Sequence, residues 1–553
     1  MMQEKLVDQL GNSIRKNWNV PALANYQGES INYGEAAHRI ARLHLIFEIC
    51  QVRQGEKIAL VGKNSVNWGI TYLAAVTWGA VIVPVLPDFK PNDIHHIVNH
   101  SDSRLLFIAD NIFDNLTREQ MKEVEYIFSL SDFSLLCDCK SKKTGKKLEK
   151  LDELFREKYP EGLSAGNFQL PEVGNENLAV LSYTSGTTGF TKGVMLTHNN
   201  LVANVIYANK NMPLEPGDKI VSFLPLAHAY GCAFEFLWPF NLGCHITFLT
   251  KTPSPQIILK AFSDIKPRLI LAVPLIMEKI YKKQLLPVIS KPAVQILLKT
   301  PVLSSVIHAR VKKKLMDAFG GNFHEVVIGG APLSKEVEEF LNKIKFPFSI
   351  GYGMTECGPL ISYANWDKTR LGSAGKAVDT LEIKIDSEDP GKTAGEIMVR
   401  GENVMKGYYK NPQATKAALE PDGWMHTGDL GLIDEEGFVY IKGRIKSMIL
   451  GASGKNIYPE EIEARLNNLD FVQESLVVEK NGRLLALIYP DYEVTDKKGL
   501  SDKDLKEIFE KHRKNLNETL PAYMSIASTS IFAEEFEKTP KKSIKRFLYD
   551  QVE

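Results

Sequence analysis

The sequence predicts an α/β protein: a large N-terminal domain of helix-covered sheets that carries a small β-rich subdomain, followed by a small, mobile α+β C-terminal domain. Three observations support this. Short apolar runs alternate with helical patterns up to about residue 372, shorter strands and turns follow, and the final part combines an amphipathic helix, a strand pair and a charged helix. We therefore expect an N-terminal domain over 1–442, with its subdomain at about 372–442, a hinge at 443–446 and a C-terminal domain over 447–553.

Eight apolar runs are expected to form strands of the N-terminal domain: KIALVG, AVIVPV, RLLFIA, NLAVLSYTS, KIVSFLP, CHITFL, PRLILAVP and EVVIGG. The uncharged stretch from Trp68 to Pro87 is long enough to cross a bilayer. Gly79 and Pro84 argue against one continuous helix, and AVIVPV is β-branched. We therefore expect a buried helix followed by a buried strand.

Charge and cysteine usage narrow the function class. Lys+Arg and Asp+Glu both total 67, so no net field attracts the protein to nucleic acid, and no nucleic-acid partner is expected. Cys137 and Cys139 form a C-x-C without a second pair, which does not complete a zinc site. We expect reduced thiols and a cytoplasmic protein, because the N-terminus has no signal-peptide core.

A basic segment lies between Lys279 and Lys314. It contains nine Lys/Arg residues and no Asp or Glu, interleaved with apolar runs. Two interpretations are open: an ordinary helical surface patch, or a peripheral membrane element that meets anionic headgroups.

The stretch YTSGTTGFTKGVMLTH, residues 183–198, indicates a phosphate-binding loop. It follows the strand-like run NLAVLS, and ligands bind where strands of α/β sheets end. Hydroxyls, glycine backbone N–H groups and a cation can together surround a polyphosphate; they come from Ser185, Gly186, Thr187, Thr188, Gly189, Thr191 and Lys192. The alternative, a flexible polar linker, does not account for this density of hydroxyls.

YTSGTTGFTKG resembles the phosphate-binding signature of the adenylate-forming superfamily, which includes acyl-CoA synthetases, luciferases and peptide-synthetase adenylation domains. Further matching motifs follow in family order: PLAHAYG (225–231), GGAPLS (329–334), GYGMTE (351–356), GEIMVRGENVMKGYY (395–409), DGWMHTGDLG (422–431) and GRIKSMILGASGKNIYPEEIE (443–463). The resemblance runs from about Ala24 to Tyr549. It implies ATP, Mg²⁺ and CoA as cofactor or co-substrates.

The resemblance assigns roles to these motifs, and the chemistry of the residues suits them. Tyr352 offers a ring for adenine, Thr355 a hydroxyl for the α-phosphate, and Glu356, with Thr184, hard oxygens for Mg²⁺. The other expected nucleotide contacts come from the GGAPLS backbone, the rest of GYGMTE, and the ribose-binding region: Gly330, Ala331, Pro332, Gly351, Gly353, Met354, Asp429, Ile441 and Arg444.

The acyl and CoA sites follow from the same resemblance. His228 is either a core histidine or a wall of the carboxylate pocket, and we favour the pocket, continued by Tyr230 and Gly231. The C-terminal domain is expected to rotate about Lys446 between two half-reactions: formation of an acyl-adenylate with release of pyrophosphate, then attack by the CoA thiol. Gly454 and Lys455 then line the thiol channel.

Long-chain relatives carry motifs such as GVMLTHNNL and VPLIMEKIY, so a long-chain fatty acid is the expected substrate, and a medium-chain or aryl acid the alternative. An apolar tunnel must hold the chain, with Phe234–Trp238 and the strand before Gly329 as its expected lining. No oligomeric state is predicted.

The final motif departs from the family pattern. Aligned on Lys538-Thr539-Pro540, the position of the usual catalytic lysine holds Ser543. Either Lys542 serves after a shift in register, or Lys545 reaches in from the next turn, or adenylation is impaired, by natural drift or deliberate substitution. The third interpretation implies a nucleotide- or acyl-binding protein with little ligase turnover.

Overall fold

The computed structural model describes residues 1–139, 144–184, 192–251, 253–450, 456–538 and 544–549. Up to Thr184 the chain alternates between helices and strands. The helices are α1 (Leu6–Lys16), α2 (Tyr33–Ile49), α3 (Val66–Trp78), α4 (Pro91–His100), α5 (Asp110–Phe113), α6 (Thr144–Leu148) and α7 (Leu151–Lys158). The strands are β1 (Pro21–Asn25), β2 (Ser30–Asn32), β3 (Lys57–Val61), β4 (Val81–Val85), β5 (Ser103–Ile108), β6 (Tyr126–Ser129), β7 (Leu135–Asp138) and β8 (Leu178–Thr184).

The uncharged stretch from Trp68 to Pro87 forms a buried helix and a buried strand, as predicted. The side chain of Ser65 accepts a hydrogen bond from the Trp68 N–H at the start of α3, and Gly79 ends the helix at φ +83°. Every residue of β4 is buried. Over the described residues, no helix has the length and apolar character required to cross a membrane.

From residue 192 to 350 the same alternation continues. Its strands are β9 (Lys192–Thr197), β10 (Lys219–Ser222), β11 (His245–Phe248), β12 (Leu269–Ala272), β13 (Glu325–Ile328) and β14 (Phe348–Ile350). Its α-helices are α8 (His198–Asn211), α9 (Ala229–Gly231), α10 (Trp238–Leu242), α11 (Pro255–Ile265), α12 (Pro274–Ile280), α13 (Leu286–Ile289), α14 (Pro292–Leu298), α15 (Pro301–Ala318) and α16 (Lys335–Lys343). Two π-helical segments, Cys232–Leu237 and Tyr281–Leu285, join neighbouring helices.

Short strands dominate between residues 352 and 450: β15 (Tyr352–Gly353), β16 (Leu360–Tyr363), β17 (Lys376–Ala377), β18 (Leu381–Asp386), β19 (Gly395–Gly401), β20 (Gly407–Tyr408), β21 (Met425–Ile433), β22 (Val439–Arg444) and β23 (Ile449–Leu450), with the helix α17 (Pro412–Ala418). The rest of the described chain contains β24 (Asn456–Ile457), α18 (Pro459–Leu466), β25 (Val472–Lys480), β26 (Arg483–Pro490), α19 (Tyr492–Lys497), α20 (Asp502–Asn517) and β27 (Ile526–Ile531).

Three sheets position the candidate site. The largest has the order β20-β9-β8-β4-β3-β5-β6-β7, parallel between β8 and β6 and antiparallel at both edges. The second sheet is parallel and has the order β12-β13-β14. The third sheet is antiparallel and has the order β18-β19-β21-β22. This mixed α/β architecture, with each of the eight expected runs in a strand, confirms the predicted fold class.

The cysteine prediction was wrong in one respect. Cys137 and Cys139 are joined in a disulfide, where reduced thiols were expected. Because alternate residues of an extended chain face the same side, the C-x-C spacing at the end of β7 brings the two sulfurs together. The four remaining cysteines are free and buried.

Candidate active site

Three of the predicted motifs begin at the carboxyl end of a strand that pairs with a parallel neighbour. β8 ends at Thr184, directly before the predicted phosphate loop. β13 and β14 are parallel neighbours, so the GGAPLS and GYGMTE motifs that follow them start from one edge of the sheet. The carboxyl edge of such sheets is where ligands bind in open α/β folds.

A chain of contacts joins the end of the phosphate loop to the predicted metal-binding carboxylate. The Lys192 Nζ lies 4.7 Å from the centre of the Tyr408 ring, a cation–π distance. The Tyr408 hydroxyl donates a hydrogen bond of 2.9 Å to Glu356 Oε1. The backbone supports this link, since the Met405 N–H donates to the Glu356 carbonyl at 2.8 Å. Lys192 and Glu356, about 160 residues apart in sequence, therefore face one space.

A second cluster surrounds Asp429, whose side chain is only 6% exposed. The Tyr352 hydroxyl donates to Asp429 Oδ2 at 2.7 Å, and the Arg444 Nε donates to Oδ1 at 3.0 Å. Burial raises the pKa of Asp429 above its usual value, while the charge of Arg444 and the Tyr352 hydroxyl lower it. The Asp429–Arg444 contact follows from register, because the two residues are opposed in the β21–β22 pair. Ile441 lies further along the same strand.

The segment Gly351–Glu356 connects the two clusters. Its Gly353 packs so closely against the next strand that a Cβ there would lie 2.2 Å from the Pro359 carbonyl oxygen. The Met354 N–H donates to the same carbonyl at 2.9 Å. Thr355 and Glu356 then enter a 3-10 turn, with both side chains half-buried. This segment is thus fixed in register, with Tyr352 at one end and Glu356 at the other.

The turn after β13 offers exposed backbone beside this segment. Gly330 has φ +87°, a conformation that favours glycine, and residues Gly330, Ala331 and Pro332 are exposed. Tyr230 lies against the base of the turn: its hydroxyl donates to the Val327 carbonyl at 3.0 Å. A flat ligand therefore has access to this backbone layer.

The predicted acyl-pocket residues lie on the connection between β10 and the helix that contains Ala229–Leu242. His228 is half-buried immediately before α9, and Gly231 is buried, where a Cβ would lie 3.1 Å from the Pro225 carbonyl oxygen. Glu235, fully buried, holds this connection: its Oε2 accepts from the N–H groups of Phe223 and Leu224, each at 2.9 Å. Burial raises the pKa of Glu235 well above its usual range, and these N–H groups oppose the rise.

A narrow, mainly apolar cavity lies beside this connection. Its free space of about 20 Å³ has room for a water molecule. It is lined by residues from α3, β4, β8, β9, α8, the connection itself and the turn after Glu356: Tyr72, Pro84, Val180, Ser182, Leu196, Leu201, Leu226, Ala227, Ala229, Cys232, Ala233, Leu237 and Gly358. Of the expected tunnel lining, Leu237 contributes to this cavity, and Phe234, Phe236 and Trp238 are buried in the core.

The oxygen donors present are compatible with magnesium. Glu356 supplies a carboxylate. The Thr184 hydroxyl lies at the end of β8 beside Lys192, to whose carbonyl it donates at 3.5 Å. Over the described residues, no group of three or more His, Cys, Asp or Glu side chains forms a metal cage. Such a sparse protein donor set is what Mg²⁺ uses when it also binds substrate phosphates.

The described C-terminal part contacts the N-terminal part at Ser334, the last residue of the GGAPLS motif. The Asn468 Nδ2 donates to the Ser334 Oγ at 2.5 Å, and the Lys282 Nζ donates to the Asn467 carbonyl. Lys446 lies in a 3-10 turn, Ile445–Ser447, between β22 and β23.

The cations at the end of the chain are largely engaged within the C-terminal part. Lys538 pairs with Glu474 at 2.7 Å, and Lys545 pairs with Glu537 at 2.5 Å. The Lys545–Glu537 pair would have to open before Lys545 contacts a substrate, so a catalytic role for Lys545 stays a prediction. The remaining predicted residues lie outside the described part of the chain: Ser185, Gly186, Thr187, Thr188, Gly189, Thr191, Gly454, Lys455, Lys542 and Ser543.

Sequence reasoning missed two residues of this site. Tyr408 belongs to the quoted motif GEIMVRGENVMKGYY, but its contact with Glu356 depends on β20 joining the edge of the largest sheet beside β9. Glu235 was considered only as part of an apolar stretch. A lone acid inside FEFLW was the available signal, since carboxylates are rarely buried without partners.

Comparison with known proteins identifies the family of the chain. The family model described as AMP-binding enzyme matches residues 12–409. The long-chain-fatty-acid–CoA ligase FadD15 of Mycobacterium bovis is 28% identical over 472 residues, covering 81% of this chain and 75% of its own length. Long chain acyl-CoA synthetase 7, peroxisomal, of Arabidopsis thaliana is 29% identical over 491 residues, covering 84% of this chain and 69% of its own.

Solved structures share the fold. ATP-bound MatB from Rhodopseudomonas palustris is 22% identical, with a TM-score of 0.75 and coverage of 99% of both chains. The o-succinylbenzoate CoA synthetase of Bacillus subtilis, in complex with an acyl-adenylate, is 21% identical, with a TM-score of 0.75 over 100% of this chain and 99% of that one. With the family match extending over most of its length, the chain belongs to the AMP-binding enzyme family of the adenylate-forming superfamily.

Proposed function

We propose that this adenylate-forming acyl-CoA ligase activates a long-chain fatty acid. ATP and the acid form an acyl-adenylate and pyrophosphate, and CoA then takes the acyl group and releases AMP. The observation that carries the proposal is the fixed segment Tyr352–Glu356, which contacts the buried Asp429 at one end and the Lys192–Tyr408 pair at the other. A nucleotide bound along this segment can place its ribose beside Asp429 and its phosphates beside Lys192 and Glu356.

The ribose end of the site depends on an ionised, oriented carboxylate. Asp429 has both oxygens held by protein donors, and Arg444, 60% exposed, keeps a charge beside it. Asp429 is therefore positioned to accept hydrogen bonds from ribose hydroxyls while Tyr352 presents its ring to the base. The exposed Gly330–Pro332 backbone lies against the other face of the base.

The phosphate end supplies positive charge where negative charge develops. When the fatty carboxylate attacks the α-phosphorus, its oxygen forms the new P–O bond and the bond to the pyrophosphate oxygen breaks. Two anions meet in this step, so positioning and charge neutralisation are the protein's main contributions. Lys192 is the described cation at this end. Magnesium, which Glu356 and Thr184 would hold, neutralises phosphate charge when bound.

The long chain of the acid is inferred from relatives and from the motifs. The FadD15 relative is named for long-chain fatty acids, and the Arabidopsis relative for long-chain acyl groups. A buried alkyl chain gains about 0.8 kcal/mol per CH₂, which favours long acids wherever an apolar tunnel opens. The cavity beside Leu237 is too narrow for a chain as it stands, so the acyl group must displace side chains of the 226–237 connection on entry.

Lys542 is our candidate for the catalytic cation of adenylation. The family position itself holds Ser543, and Lys545 is paired with Glu537. A serine hydroxyl donates one hydrogen bond but brings no charge, and loss of a preorganised donor costs about 10²–10³ in rate. Domain rotation about Lys446 is proposed to bring Lys542 to the adenylate in one half-reaction and Gly454 and Lys455 to the CoA thiol in the other.

ATP–pyrophosphate exchange with acids of increasing chain length tests the proposal. We expect exchange to rise with chain length and to fall by about 10²–10³ in Lys542→Ala. Ser543→Lys is the matched variant, because it restores the family residue one position away. Full exchange in Lys542→Ala would eliminate Lys542, and preference for a medium-chain or aryl acid would replace the long-chain assignment.

Ser543 also supports a second candidate, a nucleotide- or acyl-binding protein with little turnover. It predicts tight binding of an acyl-adenylate with no exchange for any acid. Gain of exchange in Ser543→Lys would then identify the missing lysine as the cause.

A further inference from the structure

We propose that the helical segment 275–314 binds the surface of an anionic lipid bilayer. The segment lies between β12 and β13, two parallel neighbours of one sheet, and comprises most of α12, the π-helical turn, α13, α14 and most of α15. This binding can be measured separately from the proposed specificity for long-chain fatty acids, because it needs no catalytic turnover.

The first observation is an uncompensated positive charge. Six cations of the segment are exposed and a seventh is half-buried, and among the described residues none of the seven has an ion-pair partner within salt-bridge distance. They are Lys279, Lys291, Lys299, Arg310, Lys312, Lys313 and Lys314. Some exposed lysines elsewhere on this surface pair with carboxylates, as Lys260 does with Asp264 and Lys497 with Glu493; the segment differs in the number of cations it gathers without an acid among them. With no acid between residues 279 and 314, the local field is positive.

The second observation is a concentration of exposed apolar side chains within the same segment. Six large hydrophobic residues are 40–67% exposed: Leu275, Val288, Ile296, Leu297, Leu303 and Val306. The described chain has fifteen residues in this class, so six within 32 positions form a patch rather than the scattered apolar exposure of ordinary surfaces. Ile296, at 67%, is the most exposed of the six.

The segment is anchored at its base. The Tyr281 hydroxyl donates to Glu336 Oε1 at 2.9 Å, and Lys282 contacts the Asn467 carbonyl. Ile280, Tyr281, Leu285 and Ile289 are buried in the core. The exposed side chains of Ile296, Leu297, Leu303 and Val306 therefore lie on helices that directly follow this buried part of the segment.

An anionic bilayer fits both observations at once. Interfacial helices bury apolar side chains at the headgroup boundary while lysine and arginine contact anionic lipids, each such cation contributing about 1 kcal/mol, or about fivefold in affinity. Proline begins α12, α14 and α15, so short helices are separated by turns. Ile296 and Leu297 lie near the end of α14, followed by Lys299, so exposed apolar and cationic side chains are close neighbours in the chain at this turn.

Vesicle flotation of the full chain tests the proposal, with phosphatidylcholine vesicles compared with vesicles that contain phosphatidylglycerol. We expect binding to the anionic vesicles, weakened about 30-fold in Lys299→Gln/Lys313→Gln and about tenfold in Ile296→Gln/Leu297→Gln. High salt should weaken wild-type binding, and should weaken binding of the lysine variant somewhat less steeply, because that variant keeps five of the seven cations.

Two control variants match these changes elsewhere on the surface. Leu371→Gln alters an apolar side chain that is 46% exposed, and Lys506→Gln/Lys511→Gln removes two exposed cations from α20. Both should float like wild type. Binding that ignores anionic lipid content, or variants indistinguishable from these controls, would overturn the proposal. So would a dimer in lipid-free light scattering that Ile296→Gln/Leu297→Gln abolishes, because the patch would then be a self-association surface.

Discussion

Replacing Tyr408 with phenylalanine removes one hydroxyl and leaves the ring. In the structure that hydroxyl donates to Glu356 Oε1 at 2.9 Å, while the ring lies 4.7 Å from the Lys192 Nζ. Tyr408→Phe therefore separates two effects: orientation of the candidate metal-binding carboxylate is lost, and the cation–π contact is kept. Tyr408→Leu removes both.

The magnitude follows from the type of bond. A hydrogen bond to a charged group contributes about 1.5–3 kcal/mol, and outer partners of metal-binding carboxylates typically change metal affinity or activity by about 10- to 100-fold. We expect Tyr408→Phe to raise the Mg²⁺ concentration for half-maximal activity by this factor. Loss of the Lys192 contact adds about 0.5–1 kcal/mol, so Tyr408→Leu should weaken the Mg²⁺ response a further two- to fivefold.

The assay is ATP–pyrophosphate exchange titrated with Mg²⁺ at saturating acid. Tyr440→Phe is the matched control, because the Tyr440 hydroxyl donates to Asp434 Oδ2 at 3.1 Å on the same part of the chain but away from Glu356. It should leave the Mg²⁺ dependence unchanged. The assignment of Tyr408 as a positioning residue for Glu356 would be refuted if Tyr408→Phe left the Mg²⁺ concentration for half-maximal exchange unchanged, or if Tyr408→Phe and Tyr440→Phe raised it equally.

Three further predictions concern the support of the site. Burial raises the pKa of Glu325 to about 7, so its folded form holds a proton that the unfolded chain releases above its ordinary pKa. The stability of the wild type should therefore fall as pH rises from about 4.5 to 7. In urea unfolding, the free energy of unfolding of Glu325→Gln relative to wild type should rise by up to about 3 kcal/mol over that window. A difference between the two proteins that does not change with pH would contradict this. Glu235→Leu leaves two buried N–H groups without an acceptor and should destabilise the fold by about 2–6 kcal/mol, whereas Glu235→Gln keeps the acceptor. Equal urea midpoints for the two variants would show that the hydrogen bonds accepted by Glu235 do not stabilise the fold. Ser334→Ala and Asn468→Ala should each increase protease cleavage near the proposed hinge severalfold, and the double variant should add little more, because one hydrogen bond is lost in all three; additive increases would show that the pair is not coupled.

The sequence was sufficient for the parts of the fold that depend on local patterns. The buried helix and strand within Trp68–Pro87 were predictable because Gly79 and Pro84 interrupt the helical pattern and β-branched residues follow. The Asp429–Arg444 pair was also foreseeable, since the resemblance placed both residues near one sugar. Each of these inferences used residues that are close in sequence or joined by a known motif.

The contacts that escaped prediction join segments far apart in sequence. Tyr408 reaches Glu356 because a two-residue strand adds to the edge of the largest sheet, and two-residue strands carry no periodicity. The Cys137–Cys139 disulfide escaped prediction for another reason: a C-x-C spacing joins the two sulfurs only when the chain between them is extended, and zinc-site spacings carry no information on that conformation.

The register of the segment Tyr352–Glu356 explains why both ends of the site are preorganised together. Gly353 leaves no room for a Cβ against the Pro359 carbonyl, and the Met354 N–H donates to that same oxygen. A shift of one residue would turn Tyr352 away from Asp429, because alternate residues of an extended chain face opposite sides, and it would also move Glu356, in the 3-10 turn that follows, away from the Tyr408 hydroxyl. The close packing at Gly353 therefore fixes the distance between the ribose and phosphate clusters, and a nucleotide that spans them meets donors and acceptors already in place.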